Sequence, residues 1–129
     1  MTTPSASDSV VVDSSGWVEY LGEGPKAAKF SAYIEGEARV LVPTVVLYEV
    51  YKKLRSMRGE GIAERFVSHA LRKDVIRLDE NLALASATVS MEYRLAMADA
   101  IIYATARAHD AQLITSDVHF QGLPGATLI

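Results

Sequence analysis

The 129-residue chain contains no cysteine, which excludes disulfide staples, thiolate zinc sites, iron–sulfur clusters and cysteine nucleophiles together. No apolar run reaches the roughly 20 residues of a membrane-spanning helix. There is no basic excess either: 13 Lys+Arg stand against 16 Asp+Glu, a formal charge of -3, so this is no basic nucleic-acid coat. The first nine residues lack the charged and apolar regions of a signal peptide, and the cytoplasm is the expected location. Gly22-Glu23-Gly24-Pro25 lacks the lysine and spacing of a phosphate-binding loop, and Ser14-Ser15 has no nucleophile elbow around it. What remains is a chain that is 50% hydrophobic, enough for one core and one domain. The expected organisation is a Ser/Thr-rich flexible arm over 1–9 followed by a single domain over 10–129.

From Val10 the chain alternates short β-branched runs with longer helical patterns. Val10-Val11-Val12 and Val40-Leu41-Val42 are continuous rather than alternating, as suits strands buried on both faces. Weaker strands are expected at 75–78, 112–115 and 126–129. Helices are expected from a Ser14 or Ser15 cap to Leu21, over 26–35, from Pro43 to the Gly59/Gly61 break, and over 62–72, 80–94 and 98–109. The third of these carries the stripe Val46, Leu47, Val50, Leu54 and Met57. Strands alternating with helices predict an α/β fold with crossover connections and a parallel sheet. Ligands of such sheets bind beyond the carboxyl ends of the strands.

Four acids stand in or near that zone. Asp13 directly follows the first strand, and Asp117 comes just past the fourth. Each alone also reads as a turn or helix-start residue. Asp99 is the only charged residue between Leu95 and Ala106; a carboxylate on so apolar a helix needs a cation, donors or a raised pKa. Its plain alternative is a helix cap or half of an arginine pair. Glu49 falls at the border of the Val46/Val50/Leu54 stripe, with an exposed pair to Lys53 at i+4 as the alternative. Converging carboxylates repel one another unless a divalent ion neutralises them, and an all-oxygen set suits Mg²⁺ or Mn²⁺. Such ions serve phosphate chemistry. Setting these four acids aside leaves 12 against 13 Lys+Arg, so the rest of the surface would not repel a polyanion. Lys52, Lys53, Arg55 and Arg58 lie on the Glu49 helix as candidate phosphate contacts, though a solvated helix face explains each of them too.

Val-Val-Val-Asp13-Ser-Ser, Leu-Tyr-Glu49-Val, Ala-Asp99-Ala-Ile-Ile-Tyr-Ala-Thr-Ala and Leu-Ile-Thr115-Ser116-Asp117-Val-His-Phe120, separated by 36, 50 and 18 residues from acid to acid, resemble a PIN domain. In particular they resemble the VapC-type ribonuclease toxins of toxin–antitoxin pairs. The resemblance runs from about Val10 to Ile129. It implies a three-layer α/β/α fold around the parallel sheet. It implies an endoribonuclease in which Asp13, Glu49, Asp99 and Asp117 are catalytic and hold Mg²⁺ or Mn²⁺. Thr115 or Ser116, and Ser14 or Ser15, match positions that help order the site or its water. It further implies RNA as substrate, a VapB-type antitoxin as partner, and a homodimer. The extended polar arm before the first strand departs from the pattern and puts nothing catalytic in doubt.

The rival readings are a PIN-like nuclease acting on DNA or in RNA maturation, a noncatalytic PIN-like binding module, and a receiver-like phosphoacceptor domain. The last would want a lysine where Asp117 stands. His119 is read as an exposed loop residue rather than a ligand, and nothing is assigned to His69 or His109. Tyr51 and Tyr103 are read as packing residues rather than base-stacking platforms. Trp17 is expected in the core or at an interface, and Phe120 as a core plug.

Overall fold

The computed structural model describes residues 8–129, and the expected arm falls outside it over residues 1–7. The last residue of that expected arm, Ser9, already belongs to the first strand. Five strands, β1 (Ser9–Val12), β2 (Arg39–Pro43), β3 (Asp74–Ile76), β4 (Gln112–Thr115) and β5 (Ala126–Leu128), form one sheet in the order β3-β2-β1-β4-β5. Every neighbouring pair is parallel. Six helices flank it: α1 (Ser14–Leu21), α2 (Ala27–Ile34), α3 (Thr44–Arg58), α4 (Glu60–Ala70), α5 (Glu80–Tyr93) and α6 (Met97–Ala108). Right-handed crossovers stepping outward from β1 to β3 put α1–α4 on one face, and the return to β4 puts α5 and α6 on the other. The result is the three-layer α/β/α architecture.

The uninterrupted valines explain why β1 is central. Val10, Val11 and Val12 are 2%, 0% and 0% exposed, since helices cover both faces of the strand. On the α1–α4 side Trp17 is fully buried and meets Phe66 edge to face, centroids 5.3 Å apart. On the other side Phe120 plugs the core as expected and stacks on buried Tyr103, whose hydroxyl donates to Pro124 O at 2.5 Å. No helix among the described residues is long and apolar enough to cross a membrane.

The expected elements form, with four corrections. The cap of α1 is Asp13, not Ser14 or Ser15: its carboxylate accepts from Gly16 N–H at 3.0 Å while Ser14 opens the helix. Gly61 lies inside α4, and the break falls at Gly59 alone, whose φ of 92° suits glycine. The third strand covers 74–76 instead of 75–78. Ile76 pairs with Pro43, the last residue of β2, so the ladder has no partner strand to follow beyond it. Met57 is 58% exposed, so the buried stripe of α3 is Val46, Val50 and Leu54.

Candidate active site at the carboxyl edge of the sheet

Strand order reverses at β1, which has β2 on one side and β4 on the other. The crevice at such a switch point is where α/β sheets bind ligands. Asp13 and Asp117 leave the sheet there, from the ends of β1 and β4. Glu49 arrives on the second turn of α3, and Asp99 on the first turn of α6. All four line one cleft of about 480 Å³, together with Ser14, Ser15, Tyr48, Lys52 and Lys53.

Asp13 is the hub of the sheet side. It is 3% exposed. Its Oδ1 accepts from Ser15 Oγ at 2.7 Å and from Gly16 N–H, and its Oδ2 accepts from Thr115 Oγ1 at 2.6 Å. Buried Thr115 in turn accepts from Asp117 N–H at 2.9 Å, so one hydroxyl ties two of the acids together. The register Val12↔Ile114 makes this possible, since it sets residue 13 opposite residue 115. Ser15 Oγ also accepts from Ser116 N–H at 3.2 Å and contacts Ser116 Oγ at 3.1 Å. Gly16 lets α1 come this close: a Cβ there would sit 2.5 Å from Val12 Cγ1 and 2.7 Å from Phe30 Cε1. Burial pushes the Asp13 carboxyl up, Asp117 adds to this, and the three donors oppose it.

The helix side differs. Ser14 Oγ donates to Glu49 Oε1 at 2.6 Å, so Glu49 is turned to the cleft and makes no ion pair with Lys53. Asp99 is half-buried and accepts no hydrogen bond from any described residue. It is not the cap of α6, a position taken by Ala96 without a side-chain bond, and no arginine pairs with it among the described residues. Burial, then Asp117 and Glu49, push its carboxyl up to about 6, with Asp13 adding a little and His119 opposing.

All eight residues singled out in the sequence, the four acids with Ser14, Ser15, Thr115 and Ser116, are therefore brought together. Of the basic residues on α3, Lys52 and Lys53 reach the cleft. Arg58 instead donates to Gly22 O at 3.0 Å, and Arg55 lies by Tyr51. His119 is exposed as expected, yet it is part of the constellation. Its Nδ1 lies 2.8 Å from Asp117 Oδ1, and one ligand atom each from Asp99, Asp117 and His119 fall within 4.8 Å of one another. Its position two residues past Asp117 was the available signal; the 3₁₀ turn at Val118–Phe120, capped by Asp117, folds it back. Tyr48, unassigned from the sequence, stands on the cleft rim. Hard carboxylate oxygens with a vacant carboxylate at Asp99, and one imidazole beside them, fit a divalent cation.

Comparison with known proteins agrees with this fold. A toxin–antitoxin complex from Klebsiella pneumoniae matches with 26% identity over 92% of this chain and 95% of the other, at a TM-score of 0.75. VapC20 of Mycobacterium tuberculosis, a toxin that cleaves the sarcin–ricin loop, matches at 17% identity over 90% and 95%, also at 0.75. VapBC2 from Rickettsia felis, bound to promoter DNA, matches at 14% identity over 94% and 97%, at 0.72. No curated protein sequence matches the chain. The PIN domain family profile matches residues 10–125, and the chain belongs to the PIN domain family.

Proposed function

We propose that this protein is a Mg²⁺- or Mn²⁺-dependent endoribonuclease, the toxin of a type II toxin–antitoxin pair. The observation that carries the reading is the convergence of Asp13, Glu49, Asp99 and Asp117, from four different elements, on one cleft with no cation among the described residues paired to Asp99. Asp13, Glu49, Asp99 and Asp117 would hold a divalent ion, which would supply Lewis acidity for hydrolysis of a phosphodiester.

The chain's own groups do the rest. Thr115 and Ser15 fix the Asp13 carboxylate, and Ser14 fixes Glu49, so the donors are oriented before any ligand arrives. Lys52 and Lys53 on the cleft wall offset part of the acids' repulsion of an entering RNA backbone. No covalent intermediate is required, and no serine is placed as a nucleophile.

The likeness to toxin–antitoxin complexes supports a small VapB-type antitoxin as partner. On the same reading the protein acts in the cytoplasm as a homodimer. The test is cleavage of RNA by purified protein. We expect cleavage with Mg²⁺ or Mn²⁺, none in excess EDTA, and none from Asp99→Asn. Undiminished cleavage in EDTA would overturn the metal-dependent reading, and cleavage of DNA alone would move the substrate to the DNA alternative. Expression should arrest growth, and a co-encoded antitoxin should relieve the arrest.

A further inference from the structure

We infer that Tyr48 and Lys52 form a nucleotide-binding step on the rim of the cleft: the ring stacks on an unpaired base next to the scissile phosphate, and the ammonium meets the adjoining backbone phosphate. The inference rests on the nuclease reading and assigns residues that would hold the strand beside the scissile phosphate.

Tyr48 immediately precedes Glu49 on α3, and both line the acidic cleft. Tyr48 is 64% exposed, whereas most aromatic rings of this chain pack into or against the core. Lys52, one turn further along α3, holds its Nζ 5.6 Å from the ring centroid, within range of a cation–π contact. Both residues, with Ser56, line the acidic cleft and also an adjoining groove on the α3–α4 surface. That groove continues past Tyr51 and Arg55, a second aromatic–cation pair of the same i, i+4 spacing, 5.9 Å apart. Tyr51 is packed against the core and its hydroxyl donates to Glu64 at 3.3 Å. Tyr48 is therefore the ring of the two left open.

An exposed aromatic beside a lysine suits single strands. Every base has a π-face to stack, and stacked bases inside a duplex do not offer theirs. Lys52 neutralises charge where the cleft's own carboxylates would push a phosphate away. A protein segment in the groove would also meet this ring. Nucleic acid is favoured because Tyr48 and Lys52 are shared with the wall that carries Glu49, and because a cation stands beside the open ring.

The experiment measures binding rather than turnover. A labelled 12-nucleotide single strand and the same sequence as a duplex are titrated by anisotropy with the full chain carrying Asp117→Asn to suppress cleavage. Tyr48→Ala should weaken single-strand binding about tenfold, the scale of one base–aromatic stack, while Tyr48→Phe keeps it. Duplex binding should be weaker and indifferent to both changes. Lys52→Gln should flatten the dependence of log K on log salt by about 0.7, one phosphate contact to a single strand. Circular dichroism confirms folding of each variant. Equal single-strand affinity of Tyr48→Ala and the parent overturns the inference, as does loss of a co-expressed partner protein with RNA binding intact. A parent that neither binds nor cleaves RNA overturns the nuclease reading itself, a distinct outcome.

Discussion

On the sheet side of the cleft, Asp13 is 3% exposed and accepts three hydrogen bonds; on the helix side, Asp99 is half-buried and accepts none from a described residue. Burial is the largest cause pushing both carboxyls up, but what joins it differs. Burial dominates at Asp13 and its donors pull back. At Asp99 burial is joined by the repulsion of the other three acids. The contrast separates two duties that look alike in sequence. Asp13 caps α1 and bonds to Thr115, so the fold needs it whether or not a ligand is present. Asp99 contributes unmet negative charge, which only a cation would turn to advantage.

The largest effect should come from Asp13→Ala. It removes a helix cap and leaves the buried Thr115 hydroxyl without its acceptor, at a combined cost of about 3 kcal/mol. Asp99→Ala, measured the same way in EDTA, should leave the protein as stable as the parent or more so, because it removes a charge that burial and the neighbouring acids oppose. Denaturant titrations of both variants check this, and equal losses would erase the contrast.

Gly16→Ala tests the sheet side without touching a carboxylate. The added methyl meets Val12 and Phe30 well inside contact distance, so about 1–3 kcal/mol should be lost to overpacking. Because the shift moves the turn holding Asp13, activity should fall further than stability explains. A variant with parental stability and activity would mean that α1 can retreat freely.

The pH dependence of the metal-free protein sharpens the same comparison. The folded Asp99 carboxyl titrates near 6, above its unfolded value of 3.8. The folded state therefore holds this proton more tightly, and the stability it contributes is complete below pH 4. That stability is lost as pH rises through 6. In EDTA the parent should lose stability across this window, and Asp99→Asn should lose less. Equal slopes would remove the repulsion from the account. The smallest effect belongs to His119→Ala. The pair with Asp117 is 73% exposed on the histidine side, so melting without metal should shift by no more than about 0.5 kcal/mol.

Much of this was legible in the residues. The β-branched runs announce β1 and β2, and Asp99 stands out as a lone charge on an apolar helix. What escaped has physical causes. Asp and Ser cap helices through the same side-chain oxygen, so three adjacent candidates at 13–15 look alike until the turn geometry selects one. The end of β3 depends on Pro43, which only the inter-strand register brings opposite Ile76. Thr115 bridges two acids because residues 102 apart in sequence share a rung. Gly61 costs a helix about 1 kcal/mol, which tertiary packing overrides, whereas Gly59 must adopt a positive φ. Tyr48 differs from Tyr51 only in which way α3 turns it, a matter of packing with α4.

The account turns on a cation satisfying the charge at Asp99, and thermal melts of the parent and Asp99→Asn, each in EDTA and in saturating Mg²⁺, test that most directly. A cation that binds only the folded state stabilises it by RT ln(1 + [L]/Kd), about 2.7 kcal/mol at a hundredfold excess over Kd. The predicted result is a parent stabilised by Mg²⁺ on that scale, and a variant at least as stable as the parent in EDTA that gains much less from the ion. A variant destabilised in EDTA, with the same Mg²⁺ response as the parent, would contradict the account and make Asp99 a structural carboxylate.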